Sequence, residues 1–273
     1  MNKELLAKLV LLFVVTQAIG LFVAGTLVKE NVRATFITDN PDDVENSIGL
    51  IAYILFFTAV LLVAIKFFKR RIGLLFRIIE LLAVFGTSVI VFGAFFPDMA
   101  FHFALLVLAL KLVLPESVPL RNATSVIATA GAGSLVGVSL GVLPVIVFIA
   151  LLSVYDLIAV FGTRHMVVMA KAMTKQNVSF TFALPTKEHN FELGTGDMVI
   201  PLAFASSVLA ANAKVVAFPL AYALPALLLL ASLAGLLWTL DFISKRVGLA
   251  LPALPPQTVL MLAVFMLGKA VGL

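Results

Sequence analysis

Residues 143–162 read LPVIVFIALLSVYDLIAVFG. A helix rises about 1.5 Å per residue, so this stretch reaches about 30 Å, the thickness of a bilayer's hydrocarbon core. It is apolar from end to end except for Ser153, Tyr155 and one acid, Asp156. A carboxyl at membrane depth costs several kcal/mol and marks a functional or water-lined site by default. The stretch therefore predicts a membrane-spanning helix built around a chemical group.

Comparable runs lie on both sides. Apolar stretches at about 5–28, 48–66, 73–96, 99–114, 123–141, 193–212, 215–240 and 253–272 bring the count to nine. The composition agrees: 62% of the residues are hydrophobic and 12% charged, against roughly 25% charged in a soluble domain. The reading is an all-α membrane protein, one membrane domain over 1–273, divided into spans one to six (1–163), an inner loop (164–192) and spans seven to nine (193–273). The first span is long for the apolar part of a signal peptide and is read as a retained helix.

Orientation follows from Lys and Arg in alternate loops. With the N-terminus inside, fifteen basic residues fall on the inner side and four on the outer. That predicts N-terminus in, C-terminus out, with the acidic loop 29–46 outside. Such a chain is a multi-pass integral membrane protein, of the cell membrane in a prokaryote. Its net charge of +5 reports topology rather than nucleic acid binding.

A second acid stands at similar depth. Asp197 lies in FELGTGDMVIPLAFASSVLA, residues 191–210. Asp156 is eight residues before Arg164 and Asp197 five after Glu192, which puts both about 8–12 Å from the inner face. Consecutive antiparallel spans let the two carboxyls face each other. Two close carboxylates cannot both ionise cheaply, so the pair shares a proton. It then offers a base to activate water and an acid to protonate a carbonyl or a leaving amide. Peptide hydrolysis needs neither metal nor cofactor on that scheme, and its pH profile reports the pair. The same buried acids also suit an ion channel or a proton-coupled transporter, with a broken last span as a half-helix site. With no cysteine and no HExxH pair among three histidines, a Cys nucleophile and a zinc-protease site lack their residues.

The flanking residues separate these readings. Tyr155 precedes Asp156; Gly194, Thr195 and Gly196 precede Asp197; Pro252, Ala253 and Leu254 open the last span. This order of YD, GxGD and PAL resembles the presenilin and signal-peptide-peptidase family of intramembrane aspartyl proteases, and overall the chain is most similar to archaeal presenilin homologues. The resemblance implies that Asp156 and Asp197 are the catalytic aspartates of an endopeptidase. It implies that the substrates are transmembrane segments of other proteins in the lipid bilayer. Tyr155, Gly194, Thr195, Gly196, Pro252, Ala253 and Leu254 would shape the site or bind substrate. The glycines would give flexible backbone and close approach. Prolines 252, 255 and 256 would free backbone groups to face a cavity. Thr195 departs from the leucine of many presenilins, at a variable position. The predicted orientation matches the presenilin branch. Accessory subunits and an oligomer remain open.

Other features have structural readings. Gly133, Gly137 and Gly141 form GxxxGxxxG, which lets helices approach closely. A second PAL, Pro225-Ala226-Leu227, reads as a kinked helix. Arg77 and Glu80 are three apart and can pair on one helix face. Asn122-Ala-Thr124 and Asn177-Val-Ser179 match a glycosylation sequon but fall on the inner side. HMVVMAKAM, residues 165–173, reads as a surface helix. Residues 178–184, VSFTFAL, alternate with period two and read as a strand to which an unwound substrate could add.

Overall fold

The computed structural model describes residues 3–67, 72–162, 181–185, 190–244 and 252–272. The 165–173 helix, the second sequon and positions 178–180 of the expected strand lie outside them. Each of the nine apolar stretches carries a long helix: α1 Lys3–Lys29, α2 Val44–Phe67, α3 Ile72–Phe95, α4 Ala100–Val113, α5 Val118–Ser139, α6 Val142–Leu157, α7 Gly196–Asn212, α8 Ala223–Ser244 and α9 Leu254–Ala270. One turn of helix, Phe218–Ala221, leads into α8.

Five of these are long and apolar enough to cross a membrane: α1, α2, α3, α6 with its continuation to Gly162, and α8 with the turn before it. Helices α7 and α9 are apolar but have 17 residues each, and α4 has 14. Large apolar side chains point outward, among them Phe56 and Phe57 at 63% and 60% exposure. Water would oppose that surface strongly and lipid does not.

The centre belongs to α7. Met198, Leu202, Ala203, Phe204, Ala205 and Val208 have no exposed surface at all. Helix α5 reaches it because glycines line the crossing. A Cβ at Gly133 would stand 2.8 Å from the Leu202 side chain, and one at Gly137 would stand 2.5 Å from the Ser206 Cβ and press on the Ala203 carbonyl. The small-residue repeat therefore packs helices within the chain, as its spacing suggests. Serines finish the joints: Ser207 donates to the Leu140 carbonyl at 2.7 Å and Ser134 to Gly20 at 2.6 Å. Glu80 of α3 pairs with Lys111 of α4 at 2.9 Å, both side chains 5% exposed. The partner of Glu80 thus includes a residue 31 positions away, beyond the local Arg77 pairing the sequence suggests.

The loop after α1 docks at one end of the bundle. The buried Asn46 amide accepts from the backbone of Ile37 and Thr38, both at 2.9 Å, and Gly141 N–H donates to Pro41 at 2.7 Å. At the other end stands the main departure from an all-helical reading. Strands β1 Thr181–Pro185 and β2 Asn190–Gly194 pair antiparallel, with Thr181 opposite Gly194 and Phe182 opposite Leu193. Span seven was expected to begin at 193; the helix instead begins at Gly196. The reason lies in the sequence, since Asn-Phe-Glu-Leu-Gly alternates polar and apolar residues with the period of a strand.

Candidate active site

Asp156 sits in the last turn of α6, where the apolar run winds on as a π-helix over Ile158–Gly162. Such widened turns recur at functional sites. Asp156 is 8% exposed. Its Oδ2 accepts from the backbone N–H of Leu254 at 3.4 Å. That donor is available for a stated reason. Leu254 opens α9, where first-turn N–H groups have no intrahelical acceptor, and the next two residues are prolines with no N–H. Pro252, Ala253 and Leu254 are all buried beside it. The start of α9, its positive dipole end, thus faces the acid.

Asp197 comes from the opposite direction. It lies in the first turn of α7, three residues beyond the end of β2, and is half-buried. The carbonyl of Thr195 accepts from Met198 and Val199 at 3.0 and 2.9 Å and starts the helix. Pro201 lies four residues beyond Asp197 and has no N–H to offer the Asp197 carbonyl. The two carboxyls are within electrostatic reach of each other. Elements far apart in sequence therefore bring together Asp156, Asp197 and the PAL segment.

The other expected residues take definite places. Tyr155 is half-buried next to Asp156; Thr195 is half-buried at the helix start. A Cβ at Gly194 would meet Asp197 Oδ2 at 3.8 Å, an ordinary contact, and one at the exposed Gly196 would meet nothing within 4 Å. Neither glycine has a positive φ. Close backbone approach within the chain is thus not what these glycines serve; Gly196 leaves open space beside Asp197. An apolar cavity of about 230 Å³ runs from Leu157 and Phe161 to Trp238 and Pro252.

Several supports were not foreseen. Ser153, one turn before Asp156, is 2.7 Å from Thr258, one turn into α9, with both buried. Gln17 of α1 donates to the Met198 carbonyl at 3.0 Å. The hairpin is held by the start of α5: Arg121 pairs with Glu192 at 3.0 Å and bonds Thr181, and Ser125 donates to the Thr181 carbonyl at 3.2 Å. Asn122 bonds both backbone groups of Ala183, and Thr124 is buried, so this sequon serves packing. Ser153 could have been noticed as a hydroxyl one turn from the acid.

Residues 10–269 match the family described as signal-peptide peptidase, presenilin aspartyl protease. The chain belongs to that family. Two solved structures of a presenilin family intramembrane aspartate protease, in C222 and P2 space groups, are each 26% identical to it, over 96% of both chains, with TM-scores of 0.65 and 0.67. No curated protein sequence matches it. This presenilin-family chain is an integral membrane protein and an intramembrane aspartyl protease, an aspartic endopeptidase that acts on transmembrane substrates within the bilayer.

Proposed function

We propose that Asp156 and Asp197 are the catalytic dyad and that water is the nucleophile. The observation that carries this is their convergence from α6 and α7 beside the start of α9. With one proton on the pair, the charged carboxyl takes a proton from water as the oxygen attacks the scissile carbonyl, and the protonated one gives its proton to the carbonyl oxygen. The diol collapses, the C–N bond breaks, and the departing nitrogen takes a proton back from the pair. One water is consumed, and one carboxyl and one amine are formed. The Leu254 N–H orients Asp156, and Pro252 and Ala253 wall the site, with Tyr155, Gly194, Thr195 and Gly196 bordering the place of the substrate.

The domain is one membrane unit over 1–273 with nine spans, N-terminus inside and C-terminus outside, of the cell membrane in a prokaryote. The fifteen-to-four bias of basic residues supports that orientation. The substrate is a transmembrane helix that unwinds locally. Its freed backbone groups would be unsatisfied in lipid, and an added strand supplies partners. The side chains of α5 occupy the outer edge of β1, so the strand adds beside β2, which runs straight into Asp197.

The test is cleavage of a single-span substrate by purified protein in lipid, with products read by mass spectrometry. Asp156→Asn and Asp197→Asn should each lower the rate by about 10⁴-fold or more, the upper range for acid–base groups. Cleavage retained by either variant would remove that aspartate from the chemistry.

A further inference from the structure

The contact between Asn122 and β1 is more than a generic anchor. The Asn122 Nδ2 donates to the Ala183 carbonyl at 2.8 Å, and its Oδ1 accepts from the Ala183 N–H at 2.8 Å. A carboxamide carries the same donor and acceptor as a peptide group. One side chain thus satisfies both outward backbone groups of one strand residue, as a neighbouring strand would. Ser125 takes the Thr181 carbonyl two residues along, the next outward acceptor on that edge. The Arg121–Glu192 pair ties β2 to the same helix turn.

An open strand edge pairs with any extended chain. In a protease whose substrate becomes extended, both edges of a two-stranded sheet would compete for it. The outer side of β1 lies about three strand spacings, roughly 14 Å, from the outer side of β2. A substrate bound there would lie far from Asp197. We infer that Asn122 is a surrogate strand: it closes the outer edge of β1 and fixes the hairpin, so that an extended substrate adds beside β2 alone and in one register. Asn122 is a positioning residue on this account, since it touches the hairpin and not the reacting atoms. The inference rests on the dyad and strand-addition reading above.

Asn122→Leu keeps the side-chain shape and removes both hydrogen bonds. The assay is cleavage of a single-span substrate in lipid, normalised to protein that binds a transition-state analogue, with products read by mass spectrometry. KM should rise about tenfold, the scale of one to two net hydrogen bonds, with kcat per active site little changed. A second product should appear, displaced by two residues, because a slip of two keeps each side chain on its own face. A merely structural loss would lower the number of active molecules and leave KM and the cleavage position alone. That outcome overturns the inference. Ala183→Pro removes the N–H aimed at Asn122 and puts a ring in its place while leaving the β1–β2 ladder its donors, since that group points away from β2, and should raise KM in the same direction. Should Asn122→Leu fail to fold, Ala183→Pro decides by the same criteria. If both variants behave as wild type while Asp156→Asn is dead, Asn122 has no such role and the dyad stands. If wild type cleaves nothing, the dyad reading itself fails.

Discussion

Gly137→Ala tests whether the α5–α7 crossing sets the position of Asp197. A methyl at 137 would stand 2.5 Å from the Ser206 Cβ and 3.0 Å from the Ala203 carbonyl carbon, and would press on the Ala203 oxygen. Carbon atoms pack best at about 3.5–4.0 Å, so the helices must part by about 1 Å. Two of the three contacts are backbone and cannot swing aside. Overpacking of this kind costs about 1–3 kcal/mol. Ala203 follows Asp197 by six residues, about 9 Å along α7, so the shift reaches the acid. A 1 Å misplacement can cost about 10²-fold in rate. The nearest atoms to a methyl at Gly133 all belong to the Leu202 side chain, at 2.8 Å and beyond, with no backbone among them, so Gly133→Ala should cost less. Gly86→Ala meets nothing within 4 Å and should gain roughly 0.5–1 kcal/mol from lost unfolded-chain freedom. The assay is the thermal midpoint in detergent together with kcat/KM per active site. The order Gly86, Gly133, Gly137 in both measurements supports the crossing argument. A Gly137→Ala protein indistinguishable from Gly86→Ala would refute it.

Glu80→Gln or Lys111→Met alone should cost about 3–5 kcal/mol in unfolding experiments by leaving one buried partner of the pair uncompensated, while the double change to apolar residues of similar volume should be near neutral; equal losses in single and double variants would contradict this. Thr258→Val removes the hydroxyl facing Ser153 and loosens the start of α9, so kcat should fall about tenfold, on the scale of one or two hydrogen bonds, with KM held; an unchanged kcat would show that the pair does not position Leu254. The dyad works with one proton, so cleavage should fall on both flanks of its pH optimum; a profile with one limb would mean that only one carboxyl titrates in the mechanism.

What could be read in the sequence was what is local. Asp156 and Asp197 stood out because a charge in an apolar run is costly wherever the helix goes. Helix positions followed from runs of about 20 apolar residues. The PAL prolines suggested freed backbone groups, whereas the N–H that meets Asp156 is free because Leu254 stands in the first turn of α9. The hairpin was half legible. Thr181–Leu184 alternates visibly, whereas Phe191 and Leu193 merged into the apolar run of α7, although they alternate too. Partners across elements were not legible. Glu80 has a plausible neighbour at Arg77 by helical spacing, yet it meets Lys111 because α3 and α4 pack antiparallel. Asn122 looked like part of a sequon because its partner is 61 positions away. Local pattern fixes which face is buried; tertiary packing chooses the partner.

The parts of the site answer one physical problem. A peptide bond in a transmembrane helix is shielded by its own hydrogen bonds, and lipid offers no water to replace them. An enzyme acting there must hold its acids rigidly and also supply backbone partners. Rigidity comes from α7, where every side chain from Ile200 to Ala210 is buried. Backbone partners come from where the helices begin: a strand that ends three residues before Asp197, and the first turn of α9, where the Leu254 N–H has no intrahelical acceptor. These interruptions cluster at the hairpin end of the bundle, beside the half-buried Asp197 and the exposed Gly196. Irregular backbone is tolerated at membrane depth only where protein or a cavity covers it. The same irregularity that would be a defect in a simple bundle is, in this chain, what lets a helix be opened and cut.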